Sequence, residues 1–218
     1  MTDADDDISL SWREHGNLGL MAAMQAIPHV GGSLATLYFG RKQEFRMKRL
    51  LLVYQEVAGE LEDVRAQVAS IEKHNGEALR AIIETLNEKI EAEPTVEKQE
   101  FLKNYMKSTL LDPVKDNYDE RKFFLEILAI MTLLECHLLA QLYERGDAIT
   151  FQELRADGAD QYAVVGAVGR LQSYGFAMTI PPGYTGDTVL VGYQSDPQRQ
   201  TIRITEFGQL FYGFCLES

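Results

Sequence analysis

The sequence is poor in the residues that build reactive or metal-bound centres. Two cysteines, Cys136 and Cys215, stand among 218 residues. That excludes a disulfide-framed scaffold, and both read as small buried hydrophobes on helices. The four histidines, His15, His29, His74 and His137, are far apart. None stands at ligand spacing from another His or Cys, so no metal and no cofactor is expected. Positive charge is scarce too. Lys and Arg total 21 against 33 Asp and Glu, a net charge of −12, which argues against a general polyanion binder. The long apolar run at 123–143 carries Glu126 and Glu135. Each would cost about 2.5–3.5 kcal/mol near a bilayer centre, so a buried helix fits better than a span. The start, MTDADDDISL, is acidic where a signal peptide would be basic. The expectation is a cytoplasmic bacterial protein.

Catalytic patterns are missing as well. Glu135-Cys136-His137 places a thiol beside an imidazole, but neighbours on a helix point about 100° apart and do not form a nucleophile–base pair. Gly166-Ala-Val-Gly169 lacks the Lys-Ser/Thr and the preceding strand of a phosphate loop. The chain is not expected to be an enzyme.

What is present is helical pattern. The reading divides the chain into a mobile acidic tail (1–15), a helical domain (16–116) and a domain at 117–218 built on a long central helix. Residues 16–40 contain no Asp, Glu, Lys or Arg, and Pro28 with Gly31-Gly32 splits them into two short helices. Five bases follow, Arg41, Lys42, Arg46, Lys48 and Arg49. An uncharged run followed by a basic cluster fits either a buried helical pair or an element that inserts conditionally into an anionic membrane surface.

Residues 43–73 read as one long helix. Leu50, Tyr54, Val57, Leu61, Val64, Val68 and Ile71 alternate steps of four and three, an a/d seam of coiled-coil type. It serves either packing within the chain or a homodimer contact. His74-Asn-Gly76 ends that helix, with Gly76 in the left-handed region. Further helices are expected at 77–92 and 95–111, the first stopped at Glu93-Pro94 and the second at Asp112-Pro113.

After the central helix at 123–143, Thr150-Phe-Gln-Glu153 has capping-box spacing and opens a short helix. Asp160 caps the next, 161–174, and Gly175 closes it. Strands follow at 176–180, 188–193 and 200–204, with a turn at 181–187, and Thr205 caps a last helix. On RLQSYGFAMTI and ITEFGQLFYGFC, this end of the chain resembles a winged helix-turn-helix domain. The fold class is therefore mainly α, with an N-terminal helical domain and a C-terminal winged-helix (α+β) domain. The resemblance implies a reading helix at 161–174. DNA contact would fall to Arg170, Gln161, Gln172 and Ser173, with Arg199 and Arg203 on the wing strand. From Glu120 onward, however, 12 acids face 7 bases, and DNA affinity rests largely on phosphate neutralisation. Protein contact fits this module better than DNA.

IPHVGGSLATLYFG, DERKFFLEIL and ITEFGQLFYGF together resemble a family of uncharacterised bacterial helical proteins with an IPxxGG-type N-terminal segment. That resemblance carries no activity with it. The function expected is interaction or regulation through protein partners or a second copy. DNA-binding regulation and conditional membrane action through 16–40 are the alternatives.

Overall fold

The computed structural model describes residues 26, 44–154, 156, 158–180 and 201–217. The expectations for the tail at 1–15, for 16–40 apart from Ala26, for Arg41 and Lys42, and for 181–200 with Arg199 lie outside the described residues. The chain is mainly helical with a small three-stranded antiparallel sheet. It divides into two compact units, Met1–Ala129 and Ile130–Ser218.

The first unit contains α1 (Glu44–Asp63), α2 (Gly76–Ala92), α3 (Val96–Leu111) and α4 (Tyr118–Ile130). The first three pack on one another. Leu50, Tyr54, Val57 and Leu61 of α1 are fully buried within the single chain, each contributing about 1.5–3 kcal/mol of burial. Helix α1 packs on α2 and α3, whose buried residues include Leu79, Ile83, Leu86 and Ile90 of α2 and Leu102, Tyr105, Met106 and Leu110 of α3.

The helix expected over 43–73 stops at Asp63. Beyond it the chain makes two short 3-10 turns, Arg65–Gln67 and Ile71–Lys73. The seam therefore loses its register after Leu61. Val64 and Ile71 are half-buried, whereas Val68 is buried in a non-helical connector. The backbone amide of Ala69 donates to the Leu110 carbonyl at 3.0 Å, which holds the connector to the end of α3. Gly76 is not left-handed either; it is the first residue of α2. Asn75 caps that helix, its Oδ1 accepting from the amides of Glu77 and Ala78.

Polar bonds join these helices. The Tyr54 hydroxyl donates to Asn87 Oδ1 at 3.0 Å, buried between α1 and α2, and burial pushes that hydroxyl's pKa up. Lys103 of α3 lies 3.3 Å from Glu56 and 3.0 Å from Glu60 of α1, and also pairs with Glu100. Burial alone would lower the Lys103 pKa, but the bonds and charges of Glu100 and Glu60 outweigh it and raise the pKa. Lys98 donates to the Ala129 carbonyl at 2.9 Å, in the last turn of α4 where a cation suits the helix dipole.

The second unit contains α5 (Leu133–Arg145), β1 (Ile149–Thr150), a 3-10 turn (Phe151–Glu153), α6 (Gln161–Ser173), β2 (Ala177–Ile180), β3 (Thr201–Ile204) and α7 (Glu206–Cys215). The single helix expected at 123–143 is thus two, α4 and α5, parted at Met131-Thr132. The cause is local. Thr132 and Glu135 form a reciprocal capping box, the Thr132 amide donating to Glu135 Oε2 at 2.7 Å. The Thr150–Glu153 box is also present, but it opens a 3-10 turn rather than an α-helix.

The sheet has the order β1-β3-β2, all antiparallel, with Ile149 opposite Ile202 and Ala177 opposite Ile204. Phe176 anchors the interior, with Phe211 of α7 stacked at 4.2 Å between ring centroids and Phe207 tilted at 5.7 Å. A Thr205 turn docks α7. The Thr205 amide donates to the Phe176 carbonyl, its hydroxyl donates to the Gly175 carbonyl at 2.6 Å, and the same oxygen accepts from the Gly208 amide at 2.9 Å. A Cβ at Gly208 would collide with the Phe176 carbonyl oxygen, so this approach requires glycine.

Candidate functional site

Helix α6 carries most of the residues singled out for recognition. Asp160 starts it, its Oδ1 accepting from the Tyr162 amide at 2.8 Å. Gly175 (φ 79°) ends it. The Phe176 amide reaches the Leu171 carbonyl and the Gly175 amide the Gln172 carbonyl, the two bonds of a Schellman close. Val164, Ala167, Val168 and Leu171 form the buried side. Gln161, Tyr162, Ala163, Gly166, Gly169, Arg170 and Ser173 form the exposed side.

The one cation of that side is engaged at home. Arg170 Nε lies 2.7 Å from Oε1 of Glu135, a carboxylate that is only 1% exposed. Its Nη2 also donates to the Ile130 carbonyl at 3.2 Å and to the Tyr174 hydroxyl at 3.0 Å. A buried carboxylate left unpaired would be costly, so Arg170 neutralises the capping residue of α5. The Tyr174 bond, and then the Glu135 charge, raise the Arg170 pKa further.

The other recognition candidates are dispersed. Gln172 Nε2 donates to Thr179 Oγ1 at 2.8 Å and is part-buried against β2. The Ser173 hydroxyl donates to the Arg170 carbonyl within its own helix. Gln161 is exposed at the helix start. Arg203 is exposed on β3, its Nε 3.2 Å from Met178 Sδ.

What remains on the outer side of α6 is uncharged and nearly featureless. Tyr162 is 82% exposed. A Cβ at Gly166 or Gly169 would meet nothing within 4 Å. Packing among the described residues therefore gives no reason for either glycine, although each costs about 1 kcal/mol relative to Ala inside a helix. The buried stripe of this helix is what its apolar periodicity displays. Tyr162, Ala163, Gly166 and Gly169 are the complementary face, and their signal is the pair of helix-interior glycines.

The membrane-surface candidates divide. Arg46 and Lys48 of α1 are exposed, whereas Arg49 is half-buried, donating to the Glu91 carbonyl at 2.7 Å. Burial pushes the Glu91 carboxyl up to about 7. Among the described residues, no helix is long and apolar enough to cross a membrane. Among the same residues, no group of three or more His, Cys, Asp or Glu could hold a metal ion. Cys136 is buried and His137 exposed, so the two point apart on α5. No protein-family model, curated protein or solved structure matches this chain.

Proposed function

We propose that the protein is a non-enzymatic interaction or regulatory protein. It acts through protein partners, a second copy included, and its second unit is a winged-helix module used for protein contact. The element order α5, β1, α6, β2, β3 and the strand order β1-β3-β2 support the winged-helix reading. The observation that carries the functional reading is the outer side of α6. In a DNA reader this side would supply cations to phosphates. Here its cation is bound to Glu135, and what it presents is Tyr162 among Ala163, Gly166 and Gly169. An exposed aromatic over a smooth, uncharged helix suits a protein surface, where Tyr is enriched at the energetic centre.

Two measurements test this together. Light scattering across a concentration series should give a mass above the 24.6 kDa monomer, which Tyr162→Glu returns to monomer. Fluorescence anisotropy against duplex DNA should give only weak, sequence-independent binding that salt abolishes. A monomer at every concentration, combined with salt-resistant, sequence-selective DNA binding, would overturn the proposal in favour of the regulator.

A further inference from the structure

We infer that His74 is a pH-sensitive latch on the connector between α1 and α2, closed by the neutral ring and released when the ring is protonated. The geometry sets the ring's state. The Val114 amide donates to His74 Nδ1 at 3.2 Å. An Nδ1 that accepts carries no proton, so the ring is the neutral tautomer with its proton on Nε2. The residue is 8% exposed, and Nε2 is buried without a hydrogen-bond partner among the described residues. Protonation would place a second N–H at Nδ1, pointing at the Val114 N–H. Two donors would then face each other, and a cation would be buried with neither nitrogen accepted by an oxygen.

The bonds beside the ring are the ones that hold the connector. The Asn75 amide donates to the Val114 carbonyl at 2.7 Å, next to the His74–Val114 bond. Further back, Ala69 is fastened to Leu110. Asn75 is also the cap of α2. A ring that swings out toward water therefore pulls on the cap and on the α3–α4 link at once.

The charged groups around the ring set its response. Burial disfavours the imidazolium most. Asp112 at the end of α3 favours it, and Lys115 in the link opposes it. Asp112 is itself paired with Arg121 of α4. Glu72 and Lys73 of the connector and Glu77 of α2 are exposed. The balance lowers the pKa of His74 below its ordinary value of 6.5. A depressed pKa means the unfolded or opened ring binds protons first. The latch is thus intact above about pH 6.5 and loosens as pH falls below it, with the opening equilibrium rising by up to about tenfold per pH unit.

Hydrogen exchange of the Ala69, Asn75 and Val114 amides, corrected for intrinsic rates, tests this at pH 7.5 and pH 5. Wild type should lose protection at these three amides on acidification. His74→Gln, which keeps an acceptor and cannot titrate, should show no such loss. Equal protection at both pH values in wild type, or the same loss in His74→Gln, would overturn the latch. Should His74→Gln not fold, an NMR titration of the wild type decides. The His74 ring and the Val114 amide must shift with one shared midpoint below 6.5, and separate midpoints would overturn the inference.

Discussion

In the first unit, Asn87, Lys98, Asn104, Thr109 and Arg121 are all buried. Tyr54–Asn87 joins α1 to α2, and the Tyr105 hydroxyl donates to the Arg121 carbonyl across α3 and α4. In the second unit, Glu135 is the one buried polar side chain among the described residues, and an arginine from the next helix neutralises it. There the interior is fixed by Phe176, Phe207 and Phe211 and by turns at Gly175 and Thr205. The contrast concerns where specificity comes from. Internal hydrogen bonds fix how the first unit's helices align, because a slipped helix would bury an unpaired Asn or Lys. Aromatic shape and glycine geometry fix the second, and on the outer side of α6 the side-chain bonds are those of Arg170 and Ser173 among the described residues.

The largest expected effect comes from the first unit. Leu61→Ala should destabilise it by about 2–5 kcal/mol, since the side chain is fully buried on a helix that packs on α2 and α3. Hydrogen exchange should show faster opening of α1–α3 with little change in α5–α7. Uniform loss across both units would erase the distinction between them. A urea midpoint independent of protein concentration would place the seam within one chain.

Thr132→Ala comes next, at about 1 kcal/mol. It removes the hydroxyl that accepts from the Glu135 amide at 3.3 Å, and fluorescence-detected urea melts would measure it. The effect should be felt in α5. A gain in helicity across 130–133 instead would mean that the α4–α5 break is not set by its cap.

The smallest change has the opposite sign. Gly166→Ala should stabilise by about 0.5–1 kcal/mol, because the position is helical and its new methyl would meet open space. Thermal unfolding measures it. The same variant should weaken self-association or partner binding if the smooth face is a contact surface. Destabilisation would show that the glycine answers to packing inside the chain.

Much of the second unit is legible in its residues. Asp160 and Gly175 bracket α6 within a residue of the expected ends, and Thr205 caps α7 as expected. These signals are local, and capping geometry needs few neighbours. The failures share a different cause. Thr132-Leu-Leu-Glu135 has the same spacing as Thr150-Phe-Gln-Glu153. It lies inside an apolar run whose hydrophobicity outweighs the cap in any reading by pattern. The seam misleads in a similar way. Val64, Val68 and Ile71 continue the heptad arithmetic after the helix has ended, because a connector lying on α3 also wants apolar residues. Arg170 is visible in the sequence as a cation, but its use is not. Only the fold brings Glu135, 35 positions earlier in the numbering, to 2.7 Å from it.

The strand order has a bearing on biosynthesis. β1 and β2 each pair with β3 and not with each other, and β3 is the last of the three in the chain. A ribosome delivers the two outer strands while the central one is still in its exit tunnel. Among the described strands, β1 and β2 both lack their partner until residues 201–204 emerge, and unpaired edges of that kind recruit foreign strands. Helix α7, whose Phe211 covers Phe176, arrives later still. The first unit has no such dependence among its described helices, which follow one another and can pack as they appear. The nascent chain would therefore carry the described helices of the first unit ahead of an open sheet, and the wait for β3 is the interval in which a holdase chaperone would matter most.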